Sequence, residues 1–98
     1  MSGANALRGE AVVATHVLRP TFTALVAAEE ELGPLFALVE RAAKGKLKLS
    51  EMVALFWHCL VQRDGVLRSE FGEAVTADGL AAATPALKVL LGQILGGR

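Results

Sequence analysis

The chain has 98 residues, of which 53% are hydrophobic and 20% are charged, and its ten basic residues balance its ten acidic residues. This length predicts a single domain, residues 1–98, because two independent cores need more chain. The hydrophobic content excludes an intrinsically disordered protein, and the zero net charge argues against nucleic-acid binding, which needs a basic surface. The longest segment without Asp, Glu, Lys or Arg is residues 52–62, well short of the ~20 residues that cross a bilayer, so we expect no membrane partner.

The chain contains one cysteine, Cys59, which excludes an internal disulfide and a zinc site built from several thiolates. A lone cysteine is typical of a reducing compartment, and residues 1–10 contain no export signal, so we expect a cytoplasmic protein. The mean hydropathy of +0.46 is high for a small soluble domain. It predicts an apolar face that binds a partner or a second copy of the chain.

Residues 1–9 are mostly small and polar and predict a flexible lead. Residues 10–19 are rich in valine, which favours a β-strand, but their apolar and polar residues alternate imperfectly. Ala14-Thr15 is also a poor turn pair. A short hairpin, a single extended segment and a helix therefore all remain open for residues 10–19.

Glycine and proline divide residues 20–95 into five predicted helices. Pro20 begins the first helix, with Thr21 as an alternative N-cap, and Gly33 ends it. The second predicted helix extends over residues 34–43. The sequence therefore predicts a mainly α fold, a compact bundle of about five short helices after a short N-terminal hairpin or extended segment.

The third predicted helix has Ser50 as its N-cap and extends to Val61. It is apolar on nearly every side, which is typical of a helix at the centre of a domain with at least two flanking helices. We expect Phe56 or Trp57, together with Leu60, to pack against the first and fifth helices.

The fourth helix is predicted over residues 66–77, with Gly79 at its end. Thr84-Pro85 is a helix-start pattern, an N-cap followed by proline at the first helical position, and it predicts a fifth helix over residues 85–95.

This fifth helix carries five large aliphatic residues, and the third helix already fills much of the predicted core. Part of its apolar stripe is therefore expected to stay exposed. We predict that Val89, Leu91 and Leu95 contact a partner or a second copy. The alternative is that this helix only completes the bundle.

Few residues have the chemistry of a catalytic or metal site. His58 and Cys59 are adjacent on a helix and point about 100° apart, so adjacency alone does not make them a base and a nucleophile. His16 lies on a different element. The glutamates at 29–31 diverge around a helix, and the lysines at 44, 46 and 48 are typical of a helix terminus. We therefore expect no catalytic residue, no metal, no cofactor and no enzymatic activity.

The order of several short segments resembles a known family. These segments are N-A-L-R-G-E at 5–10, L-R-P-T-F-T-A-L at 18–25, A-E-E-E-L-G at 28–33, L-F-A-L-V-E-R-A-A at 35–43, G-K-L-K-L-S-E at 45–51 and F-G-E-A-V-T-A-D-G-L at 71–80. Their order and spacing are similar to those of the tail assembly chaperone-like family of gene transfer agents and related prophages, also labelled a phage tail tube family. The chain departs from the family pattern in one place, because only residues 11–17 separate Arg-Gly-Glu from Leu-Arg and no Asp-Gly turn lies between them.

The resemblance implies a non-catalytic role in building a phage-like tail. It implies a tape-measure protein and a tail tube protein as partners, since such chaperones are thought to coat the first and recruit the second. It implies no cofactor. An alternative without any tail connection is a small helical adaptor or regulator that dimerises through apolar helices.

Overall fold

The computed structural model describes residues 11–97, so the predicted flexible lead at 1–9 lies outside the described residues. The elements, in chain order, are β1 (Ala11–Val13), β2 (His16–Leu18), α1 (Phe22–Leu32), α2 (Leu35–Ala43), α3 (Leu49–Cys59), α4 (Arg68–Asp78) and α5 (Leu80–Gly96). The predicted mainly α bundle of five helices behind a short N-terminal hairpin is confirmed.

No single helix within residues 11–97 has both the length and the apolar character needed to cross a membrane. Helices α4 and α5 reach that length and hydropathy only as a pair, and the chain bends by 112° between them.

The hairpin uses the turn pair that looked unfavourable in the sequence. Val12 lies opposite Val17, and Ala14 and Thr15 form the two-residue turn between the strands. Their φ angles are +49° and +66°, as a type I′ turn requires, and asparagine or glycine adopts such angles more readily. The hairpin is therefore the one of the three open alternatives that the chain adopts, at the cost of a strained alanine and a strained threonine.

A third segment pairs with the hairpin. Leu60 forms a β-bridge with Leu18, and the Val61 N–H donates to the Val17 carbonyl at 3.0 Å. Extended backbone is needed for this pairing, so the prediction that the third helix reaches Val61 is wrong, and α3 ends at Cys59.

The ends of α1 follow the local signals. The Thr21 hydroxyl accepts the Ala24 N–H at 3.1 Å, which identifies Thr21 as the N-cap, and Gly33 ends the helix at φ +87°. The Glu29 carboxylate then accepts the Leu35 N–H at 3.0 Å. This bond links the last turn of α1 to the first residue of α2.

Helix α3 begins before the predicted N-cap. Lys48 occupies the N-cap position, and Ser50 lies inside the first turn, so the Ser50 prediction is wrong. The Glu51 carboxylate accepts the Lys48 N–H at 3.0 Å and pairs with the Arg41 guanidinium of α2. The bond from the Lys48 backbone is the main cause that lowers the pKa of Glu51, and the charge of Arg41 adds to it. The Glu51 side chain, on the third residue of α3, thus accepts the N–H of the N-cap residue. A serine N-cap is therefore not needed at this helix start.

Helix α5 begins five residues earlier than predicted and contains Pro85 in its second turn. Proline removes one helical hydrogen bond, but the preceding residues are mostly alanine, the strongest helix former. Ala83 and Ala86 are buried one turn apart, so their packing offsets the lost bond. The Thr84 hydroxyl donates to the Leu80 carbonyl at 2.9 Å instead of capping a new helix.

Helix α3 supplies much of the core. The largest fully buried side chains come from β2 and from α2 to α5, namely Leu18, Leu38, Leu55, Phe56, Cys59, Phe71, Val75 and Leu90. Of the two aromatic candidates in α3, Phe56 is fully buried and Trp57 is half-buried, with its ring centroid 6.2 Å from that of Phe71. Helix α3 packs mainly on α1 and α4, whereas α5 packs mainly on β1 and α4. The second main neighbour of α3 is thus α4 and not the predicted α5, which packs mainly beside β1 and α4.

Candidate protein-interaction surface

Helix α2 and the C-terminal end of α5 border an open groove of about 520 Å³. Its lining residues are Pro34, Phe36, Ala37, Val39 and Glu40 on the α2 side and Leu95 on the α5 side. We call this the α2–α5 groove. Phe36 is 82% exposed and Leu95 is 60% exposed. Large apolar side chains that lie together in water are characteristic of a partner site.

The helix period explains why these side chains face water. Leu38 is fully buried, and Phe36 lies two residues before it, so Phe36 points roughly 200° away around the helix axis. Leu90 is fully buried in α5, and Leu95 lies five residues later, roughly 140° around the axis. Burying one face of each helix therefore leaves Phe36 and Leu95 outside.

Among residues 11–97, Glu40 is the only ionisable residue that lines the α2–α5 groove. It lies one helical turn after Phe36, on the same side of α2. Its exposed carboxylate makes no hydrogen bond or ion pair within residues 11–97, while its neighbour Arg41 is held by Glu51. The groove thus combines apolar walls with one carboxylate that has no partner in the described part of the chain.

The three residues predicted to contact a partner differ in their surroundings. Val89 and Leu91 are half-buried and pack against the core, whereas Leu95 is exposed and lines the groove. The structure brings Leu95 together with Phe36, which sequence reasoning did not select. The pattern of α2 contained a signal, because Leu35 and Leu38 form its inward stripe and Phe36 lies off that stripe.

Other exposed apolar residues lie elsewhere on the molecule. Phe22, the first residue of α1, is 83% exposed. Val12, Val17 and Val61 occupy neighbouring positions across β1, β2 and the paired segment, and all three are exposed. They form a short apolar row on the outer face of the hairpin, because residues directly opposite in paired strands share a face.

A second concavity, of about 280 Å³, lies where α1 begins and α3 ends. Arg19, His58 and Arg63 line it together with Thr21 and Thr23, and none of the acidic side chains of residues 11–97 does so. The Arg63 guanidinium carbon lies 5.7 Å from the centroid of the Trp57 ring. This concavity is basic in character.

The two histidines contact other side chains, and the cysteine is buried. His58 Nε2 lies 2.8 Å from Glu31 Oε1, and the His16 ring packs edge-on against Phe71 at 5.3 Å between centroids. Cys59 is 1% exposed, and burial raises the pKa of its thiol to about 12. Within residues 11–97, no three His, Cys, Asp or Glu side chains are grouped to hold a metal ion.

Two of the three consecutive glutamates are engaged. Glu29 bonds to the backbone of α2, and Glu31 accepts hydrogen bonds from Arg68 of α4 and His58 of α3. The bond from Arg68, followed by that from His58, lowers the pKa of Glu31. These two carboxylates therefore join α1 to neighbouring helices.

The sequence profile of the family described as phage tail tube protein, GTA-gp10, matches residues 9–97. The chain belongs to this family. The match includes the hairpin and all five helices of this GTA-gp10 family member, so the resemblance to a gene transfer agent tail family is confirmed. No curated protein and no solved structure gave a significant match.

Proposed function

We propose that this protein is a non-catalytic tail assembly chaperone or tail component that binds the tape-measure protein, the tail tube protein or both. We place this role in the cytoplasm of the cell that makes the particle. Membership of the GTA-gp10 family supports the connection to a phage-like tail. The observation that carries the binding role is the α2–α5 groove, where Phe36 and Leu95 lie exposed in a folded domain.

A chaperone role agrees with a domain that has its own core and still exposes apolar residues. The buried side chains form a closed core within this chain, so the exposed residues are not needed to complete it. An assembly protein holds apolar client surface only until the client polymerises, which requires exposed apolar groups on a domain that is already folded.

The burial of Cys59 and the bonding of His58 to Glu31 support a non-catalytic role. A nucleophilic cysteine needs a lowered pKa and access to its substrate, and Cys59 has a raised pKa and is buried. His58 bonds to Glu31 in a group that joins three helices.

The alternative proposal is a small helical adaptor or regulator that dimerises through the same apolar surface. The exposure of Phe36 and Leu95 favours it as well, since two copies can bury identical patches against each other about a two-fold axis.

Co-expression tests the proposal directly. The chain is produced with the tail tube protein and, separately, with the tape-measure protein of the same particle, and complexes are identified by affinity purification and light scattering. We expect a stable complex with at least one of them. A chain that stays free in both mixtures and forms a dimer alone would favour the adaptor. Mass spectrometry of purified particles then separates the two tail roles, because a chaperone is absent from them and a tail component is present in fixed proportion.

A further inference from the structure

The α2–α5 groove has features that restrict the chemistry of its occupant. We propose that it binds an α-helical segment of a partner protein that carries an apolar anchor residue and a lysine or arginine one helical turn away. This inference rests on the proposed function only in naming a tail protein as the partner. The anchor packs between Phe36 and Leu95, and the cation pairs with Glu40.

The walls of the groove favour a helix over an extended segment. Both walls consist of side chains of α2, its N-cap Pro34 and α5, and no strand edge that could pair with an extended segment lies among the lining residues. An extended segment would bring its own N–H and C=O groups against apolar side chains without partners, which is costly. A helix satisfies its own backbone groups and presents only side chains, as in other helix-in-groove complexes.

The charge of the groove selects the cation. Within the described residues 11–97, Glu40 is the only ionisable residue lining the groove, and its carboxylate has no partner there. Phe36 and Glu40 are four residues apart, so they lie about 6 Å apart along the axis of α2. A partner helix whose apolar anchor and cation have the same spacing therefore meets both residues together.

The same requirement argues against a second copy as the occupant. Six exposed large apolar residues lie in the described helices, namely Phe22, Val26, Phe36, Leu49, Leu80 and Leu95. None of them has a lysine or arginine three or four residues away in the same helix. The exposed apolar residues of the described helices thus lack the pattern that the groove selects, which favours a different protein as its occupant.

Two synthetic helical peptides test the charge preference. Each has 20 residues and the same leucine stripe, and they differ only in having lysine or glutamate one turn from each leucine. Fluorescence polarisation measures their affinity for the full chain at low ionic strength. We expect the lysine peptide to bind at least five-fold more tightly, Glu40→Lys to reverse this preference, and 1 M NaCl to abolish it. Equal affinity of the two peptides would overturn the proposal.

The chain offers a matched pair of variants to locate the binding. Phe36→Ser and Phe22→Ser each remove an equally exposed phenylalanine near the start of a helix. We expect Phe36→Ser to weaken the lysine peptide at least ten-fold and Phe22→Ser to leave it unchanged, with circular dichroism spectra like that of the wild type. Equal losses in both variants, or a dimer of the wild-type chain that Phe36→Ser dissociates, would contradict a partner helix in this groove.

The same variants distinguish failure of the inference from failure of the proposed function. If a whole tail protein binds wild type and Phe36→Ser equally well, the groove assignment is wrong and the tail role stands. If neither tail protein binds while the lysine peptide still binds in a Phe36-dependent manner, the tail role is wrong and the chemistry of the groove stands.

Discussion

Glu31 and His58 are 27 residues apart in the sequence, and their side chains meet with His58 Nε2 at 2.8 Å from Glu31 Oε1. Glu31 lies near the C-terminal end of α1 and His58 near the C-terminal end of α3, while the other oxygen of the carboxylate accepts from Arg68 of α4. One carboxylate thus joins three helices at the edge of the core.

The Glu31 contacts make the stability of the protein depend on pH. Because the pKa of Glu31 is lowered in the folded state from an ordinary value of 4.5, its contribution is fully present above that value. The contribution is lost as the pH falls through the lower, folded-state pKa. We expect Glu31→Gln to lower the free energy of unfolding at pH 7 by about 0.5–1 kcal/mol, a small effect because the group is partly exposed.

Urea denaturation at pH 7 and at pH 3 measures this effect. Glu30→Gln is the control, since the Glu30 side chain makes no hydrogen bond within residues 11–97. The difference between the two variants should shrink at pH 3. A difference that persists there would show that Glu31 acts through packing and not through its charge.

The turn of the hairpin can be improved. Thr15 is β-branched and has a φ of +66°, a conformation that costs a residue of this kind about 1–2 kcal/mol. Thr15→Gly should therefore raise the free energy of unfolding by about 1 kcal/mol and the melting temperature by about 4–8 °C. Calorimetry measures the change, with Thr23→Gly in α1 as a control that should be destabilising. A lower melting temperature for Thr15→Gly would refute the strain at this turn.

Leu60 should be a core position although it lies outside α3. It is 7% exposed and pairs with Leu18, so Leu60→Ala should cost about 2–5 kcal/mol of unfolding free energy. Its neighbour Val61 is exposed, and Val61→Ala should change stability by about 0.5 kcal/mol or less. Similar midpoints in chemical denaturation for the two variants would place the centre of the core elsewhere.

Cys59 should be unreactive in the folded protein. With the pKa of its thiol raised to about 12 by burial, almost none of it is thiolate at neutral pH, and the thiolate is the reactive form. A chromogenic disulfide reagent should label Cys59 quickly in denaturant and only at the rate of unfolding in buffer. Rapid labelling of native protein would contradict this expectation.

Two leucines of α5 should respond differently to a charge. Leu91 packs against the core, whereas Leu95 is exposed in the α2–α5 groove. Leu91→Glu should lower the melting temperature because it places a carboxylate against apolar side chains. Leu95→Glu should leave the melting temperature unchanged and weaken partner binding, as thermal denaturation and a pull-down can show. Unchanged binding by a folded Leu95→Glu variant would remove Leu95 from the interface.

Most helices could be predicted from the sequence because their signals act within one or two turns. Thr21 caps α1 through its own hydroxyl, Gly33 and Gly79 end helices by adopting positive φ angles, and α3 is apolar on nearly all sides. The same local logic misplaced the start of α5. Thr84-Pro85 has the form of a helix start, but burial of Ala83 and Ala86 against the rest of the fold outweighed it.

The sequence by itself determined the fold class, the family resemblance and the expectation of an apolar interaction surface, since each follows from composition and from the order of local patterns. Only the tertiary structure decided that residues 60–61 pair with the hairpin, that Glu31 joins three helices, and that Phe36 and Leu95 border one groove beside Glu40. These relationships join residues far apart in the chain. Their energies depend on how whole helices pack, and periodicity within one helix shows which side faces outward but not which side chains meet there.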